Sequence, residues 1–284
     1  MQIGEDSERK NQMNKIVAKD DFNTNDSDLF VLVGTDRLSY FITANNNQVV
    51  IQESISFKTE SLESILKKNF SLNNDFRQVK VGFFTTYNTL VPNILYQENA
   101  STTYLENSFR VPHHHYLLTD NLNCLQCQNI YLAPVNSYNL LQKKFPNATF
   151  VNVNSTLLSA FHKASLQFDE PSFFINIYGN FFHASVFENG KLLISNIYEF
   201  KKTKDFIYFT LLIFNQLKLN VEQTKLFLAG ELMKSSEIYN LIYRYVRHIN
   251  FVEKTTDLEF DEAFEDVPQH FYFDLYSLFV DLKK

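Results

Sequence analysis

Glycine and proline are scarce, at six each in 284 residues. Loops that cradle phosphate are usually built from glycine, whose missing side chain lets backbone N–H groups close on an anion. Little material for such loops is present. Cysteine is scarcer, with two residues, and the start MQIGEDSERKNQMNKIVAKDD is polar rather than an export signal, so a reducing cytoplasm is the expected compartment. No apolar run nears the roughly 20 residues that cross a bilayer. Basic residues number 26 against 32 acidic ones, a formal charge of -6. That balance argues against a nucleic-acid surface, which needs clustered Lys and Arg.

Apolar side chains are plentiful: hydrophobic residues make up 45% of the chain, and 29 are Phe. They suffice for one large domain or two ordinary ones. Residues 1–28 show little periodicity and read as a loose leader. Strands are expected at LFVLVG (29–34), LSYFITA (38–44) and VVIQESISF (49–57), then a helix at SLESILKKNF (61–70) and a strand at VKVGFF (79–84). A short helix is expected near the proline of TLVPNILYQ, and 99–128 reads as an insertion or long connection. NIYLAPV is a strand, SYNLLQKKF a helix, ATFVNVN a strand and STLLSAFHKASL (155–166) an amphipathic helix.

The order then recurs. SFFINIYG, FFHASVFE and KLLISNIYEF are strands, KDFIYFTLLIFNQLKL (204–219) a helix, TKLFLAG a strand and SSEIYNLIYRYV (235–246) a helix. With an offset of about 143, QVVIQESISF falls on KLLISNIYEF. The helix over 204–219 is apolar almost all round, which predicts packing on several sides. PQHFYFDLYSLFV reads as a closing helix, and the acidic run over 255–268 as a solvated connection.

Three strands followed by alternating helix and strand, twice over, resembles the actin-like, sugar-kinase and Hsp70 superfold across 29 to about 283. The pieces TLVPNILY, GKLLISNIYEFKKTKDFIYFTLLIFNQL, LFLAGELMKSSEIYNLIYRYV and FEDVPQHFYFDLYSLF are similar to an uncharacterised bacterial family, domain of unknown function 3822. The resemblance implies an α/β fold of two ribonuclease-H-like subdomains, each a mixed five-stranded sheet flanked by helices. They are expected over 29–168 and 169–284, after the leader 1–28. The resemblance implies no established activity.

In active members of that superfold, each first hairpin carries an acid that positions magnesium and small residues that admit phosphate. Here NIYGN puts Asn176 near the acid's place and Tyr178 near the glycine's, and VLVGTDRLS has apolar Val31 and Val33, with Asp36 only in the turn. Gly179-Asn180 and Asn189-Gly190 read as plain turn chemistry. If a nucleotide or another anion binds, Gly34, Thr35, Gly179, Asn180, Gly230 and Glu231 are the candidates to line a central crevice. No catalytic residue, metal or cofactor is predicted, and ATP stands as the alternative ligand.

His113, His114 and His115 precede Cys124 and Cys127, a set that could hold zinc if the fold gathered it; a surface loop with partly buried cysteines is the alternative. No nucleophile–base pair is evident among Ser185, Ser195, His162, His183 and His248. The sequence reads as a non-catalytic actin-like scaffold with an unidentified protein partner and an open oligomeric state. The alternative is a nucleotide-binding ATPase or kinase with a degenerate phosphate site.

Overall fold

A computed structural model describes residues 15–18, 26–44, 47–253, 257–268, 270–280 and 282. They form two compact units. The first takes the chain through Thr156 and takes back 257–267 and the residues from Leu278; the second holds the remainder from Leu157.

The first unit opens with β1 (Lys15–Val17), β2 (Asp28–Val33), β3 (Arg37–Thr43), β4 (Gln48–Ser56), α1 (Leu62–Lys68) and β5 (Gln78–Phe83). β6 (Asn88–Pro92), α2 (Ser101–Glu106), β7 (His115–Leu122) and β8 (Cys127–Pro134) follow, then α3 (Val135–Lys144) and β9 (Thr149–Asn152). The main sheet runs β4-β3-β2-β5-β9; β3 is antiparallel to both neighbours, and β2, β5 and β9 are mutually parallel. β2 is buried at every position, as an apolar run in a sheet covered on both faces should be. Leu29, Val31, Val33, Tyr40, Val81 and Phe83 form the centre of this unit's core.

Two segments depart from the sequence reading. Part of the expected leader is ordered: β1 pairs antiparallel with β4, and Ala18 is buried beside it; residues 1–14 and 19–25 lie outside the described residues. TLVPN is the end of a strand, not a helix start, and 99–128 supplies a helix and the strand β7 of a second sheet, order β6-β8-β7. Pro92 is tolerated because it sits at the last position of an edge strand. β8 lies between two cores: Ile130 and Leu132 meet Val91 and Leu105, while Tyr131 and Ala133 join the main core.

α4 (Val153–Ser165) leads into the second unit, which continues with β10 (Ser172–Tyr178), β11 (Phe181–Glu188), β12 (Lys191–Glu199), α5 (Thr203–Gln216), β13 (Lys225–Gly230), α6 (Glu237–Ile242) and β14 (His248–Phe251). Its sheet runs β12-β11-β10-β13-β14, the same sequence of antiparallel and parallel pairings as the first. β4 and β12 thus hold one structural position, 143 residues apart. β10 and β11 meet in a two-residue turn at Gly179-Asn180, and β11 and β12 in another, where Asn189 and Gly190 both have positive φ, 50° and 71°. That is the mirror-image turn an Asn-Gly pair favours.

α5 does not pack all round. Phe206, Ile207, Thr210, Ile213 and Phe214 form one buried stripe, whereas Tyr208 is 61% exposed. α6 ends at Ile242, short of the expected 246, and the strand β14 follows, which the sequence reading lacked. The chain then returns to the first unit as β15 (Glu259–Phe260), parallel to β4, and reaches the second again with α7 (Phe273–Ser277). The acidic run is therefore more than a connection: Leu258, Phe264 and Val267 are buried between its exposed carboxylates. Gly82 in β5 makes room for Leu278, and Lys80 donates to the Val280 carbonyl at 2.9 Å.

Candidate functional site

The residues proposed to meet an anion follow the carboxyl ends of parallel strands, where α/β sheets tend to hold ligands. In the first unit, Gly34 and Thr35 follow β2, and the Gly34 N–H closes the turn by donating to the Arg37 carbonyl at 2.9 Å. Val31 and Val33 are buried in the strand, so no carboxylate stands there for a cation. Asp36 is exposed in the turn, its carbonyl accepting from Phe57 N–H.

In the second unit, Gly179 has φ +56° with open space where a side chain would lie, so conformation alone asks for glycine. The Asn180 carbonyl accepts the Phe200 N–H at 2.8 Å, and its amide donates to Glu199. Tyr178 is buried, as is Asn176. Gly230 ends β13 opposite Ile177 with φ +93°, and a Cβ there would collide with the Ile177 carbonyl. Its N–H donates to the His270 carbonyl at 2.8 Å, and the His270 ring Nε2 donates to the Leu232 carbonyl at 2.6 Å. Half-buried Glu231 follows. The two turns of this unit therefore end neighbouring strands, with the Gly230 N–H already engaged by the chain.

A different constellation is gathered in the first unit, and the sequence reading missed it. Asp120 of β7, Asn129 and Tyr131 of β8, and Asn152, Asn154 and Ser155 at the β9–α4 junction are all buried. Asp120 Oδ2 accepts the Asn152 N–H at 2.7 Å, Asn129 Nδ2 donates to Ser155 Oγ at 2.8 Å, and Asn152 Oδ1 accepts the Asn154 N–H at 2.7 Å. Burial pushes the Asp120 carboxyl up to about 7, against opposing hydrogen bonds from Ser155, Asn152 and Tyr131 and the charge of Lys80. Near neutrality it shares its site between the acid and the carboxylate. This polar joint ties the β6-β8-β7 sheet to the start of α4. Its only signal in the sequence is the asparagine pair breaking the apolar run of ATFVNVN.

A family model described as "Protein of unknown function (DUF3822)" matches residues 18–249. The chain belongs to this family. A Bacteroides thetaiotaomicron protein of actin-like ATPase fold and unknown function matches with a TM-score of 0.74 and 19% identity, over 81% of this chain and 91% of that one. A chain of a PilM-PilN type IV pilus biogenesis complex matches at 0.57 and 13% identity, over 88% and 97%. No curated protein matches the sequence. The fold is the actin-like ATPase fold with duplicated subdomains.

Two further sets can be placed on this DUF3822 frame. His115 opens β7 and pairs with Pro134, whereas Leu122 at its far end pairs with Cys127. Seven residues at about 3.3 Å each separate the histidines from the cysteines by roughly 23 Å. A zinc site drawing on both is excluded. Cys127 is buried, which pushes its thiol up to about 11, away from the thiolate a metal needs. By contrast, the fold does bring together a serine and a histidine: His183 Nε2 lies 2.9 Å from Ser195 Oγ across β11 and β12. Burial holds that ring neutral, down to about 4. Its Nδ1, like Asn176 Oδ1 and Ser185 Oγ on the same face, is buried without a hydrogen-bond partner. No helix among the described residues is long and apolar enough to cross a membrane.

Proposed function

We propose that this DUF3822 protein is a non-catalytic actin-like scaffold that acts in the cytoplasm by contacting a protein partner. One observation carries the reading. At two of the strand ends where a phosphate would need free N–H groups, the chain uses them itself, Gly34 on Arg37 and Gly230 on His270. Apolar Val31 and Val33 and uncharged Asn176 stand where an acid would hold a cation, and a neutral amide brings no charge to offset one. The frame found in a PilM-PilN complex supports the partner reading by analogy of fold. The alternative, non-hydrolytic binding of a nucleotide at Gly34, Thr35, Gly179, Asn180, Gly230 and Glu231, is favoured only by their place at carboxyl ends of strands.

Isothermal titration calorimetry with ATP and ADP, each with magnesium at millimolar concentration, separates the readings. No saturable heat and no phosphate release are expected. Saturable binding with turnover would overturn the scaffold.

A further inference from the structure

The duplicated units give the same strand different surroundings. β4 is covered along its outer edge by β1, with Lys15 opposite Glu53 and Val17 opposite Ile51, and by β15, with Glu259 opposite Gln48. Residues 49–52 of β4 are accordingly buried. β12, its nine-residue counterpart, ends its sheet, and none of its residues is buried. Among the described residues no strand pairs with its outer edge. An edge strand presents a row of backbone N–H and C=O groups that another strand can complete. Proteins usually blunt such edges with mid-strand charge, proline or a bulge. KLLISNIYE has no proline and carries charge only at its two ends. It has one bulge, beside Leu193, which leaves 194–199 in regular register.

We propose that β12 is a dimerisation edge, on which a second copy of this chain lays its own β12 antiparallel about a two-fold axis. The inference rests on the scaffold reading only in taking surface contact as the working chemistry. What selects a second copy is charge. Antiparallel pairing centred near Ser195 sets the Lys191 end of each strand against the Glu199 end of the other. Lys201 and Lys202, just beyond Glu199, would then lie toward the partner's Asn189-Gly190 turn and its Glu188 on β11. Leu193, 42% exposed, would be covered near the partner's Ile197. A two-fold contact uses each edge once and closes, so it yields a dimer and no fibre.

The test is sedimentation equilibrium of the full chain from micromolar to several hundred micromolar at low salt. A dimer of the 33.3 kDa chain is expected. Lys191→Glu and Glu199→Lys, each acting twice per dimer, should each weaken association roughly five- to tenfold, since like charges facing across strands repel. The double reversal Lys191→Glu with Glu199→Lys should restore it. Both side chains are exposed, so the variants are expected to fold, and circular dichroism checks this. A monomer throughout the range overturns the proposal. So does a dimer indifferent to the single reversals, or one the double reversal fails to rescue, as does β12 engaging only a different protein. A monomer would leave the scaffold reading intact, whereas nucleotide turnover would end that reading without bearing on β12.

Discussion

Asp120 holds a proton in the folded chain that an unfolded chain releases near pH 4. Because its folded value, about 7, lies above the ordinary 3.8, the native state binds more protons between those limits. Stability from this group is therefore full below about pH 4 and lost as pH rises toward 7, by an amount on the order of 4 kcal/mol. His183 slopes the other way: its depressed folded value makes stability fall as pH drops from 6.5 toward 4. Urea unfolding at pH 5 and 7.5 should show Asp120→Asn losing less stability over that rise than the unaltered protein. Equal losses would remove Asp120 from the account. Glycines give a second residue-level contrast. Gly179→Ala has room and meets only the cost of left-handed backbone, about 1 kcal/mol. Gly230→Ala adds a collision with the Ile177 carbonyl and should cost well over 2 kcal/mol, read as a lower denaturant midpoint. Neither the burial of Asp120 nor the close approach at Gly230 has a local sequence signature, because both depend on what distant segments bring.

At the level of elements, α5 shows how composition can mislead. Its apolar residues nearly encircle it, yet the buried ones are 206, 207, 210, 213 and 214, at helical spacing. Phe206→Ala should cost about 3–5 kcal/mol in a chemical-denaturation series, as for other fully buried rings. Tyr208→Ala should stay within about 0.5 kcal/mol, because its ring is mostly exposed. The repeated hairpins were legible in the sequence because short apolar runs broken by turn residues, the Asn189-Gly190 pair among them, are local signals. Of the β6-β8-β7 sheet only β8 was, as the apolar run NIYLAPV. β6 runs into Pro92, and β7 mixes half-buried with exposed positions, so neither reads as a strand with a clean period of two. β14, four residues long, and β15, two, are too short for periodicity to register. The candidate rims were legible as glycine-bearing turns, but the engagement of their N–H groups was not, since Arg37 and His270 are identified only by folding.

For the molecule as a whole, the chain's path matters more than its halves. A division at 168/169 follows the repeat, whereas the compact units share the carboxyl-terminal stretch between them. Leu258, Phe264, Val267 and Leu278 are buried in the first, and Phe271, Tyr272, Phe273, Leu275 and Tyr276 in the second. Each such side chain contributes about 1.5–3 kcal/mol, so losing even a few is large beside the roughly 5–15 kcal/mol by which a domain is stable. A chain ended after residue 253 should fail to unfold cooperatively, with no sharp transition in a circular dichroism melt. A sharp melt near that of the full chain would show that the strap is dispensable.

That shared strap also sets an order of events at the ribosome. Multidomain chains commonly complete their amino-terminal lobe while the rest is still being made. Here β15 follows most of the second unit and Leu278 all of it, so neither lobe can finish until residues 257–278 have been made. Until that stretch has emerged, a nascent chain of this protein would carry both hydrophobic centres unsealed, and its need for a chaperone would be greatest over that interval.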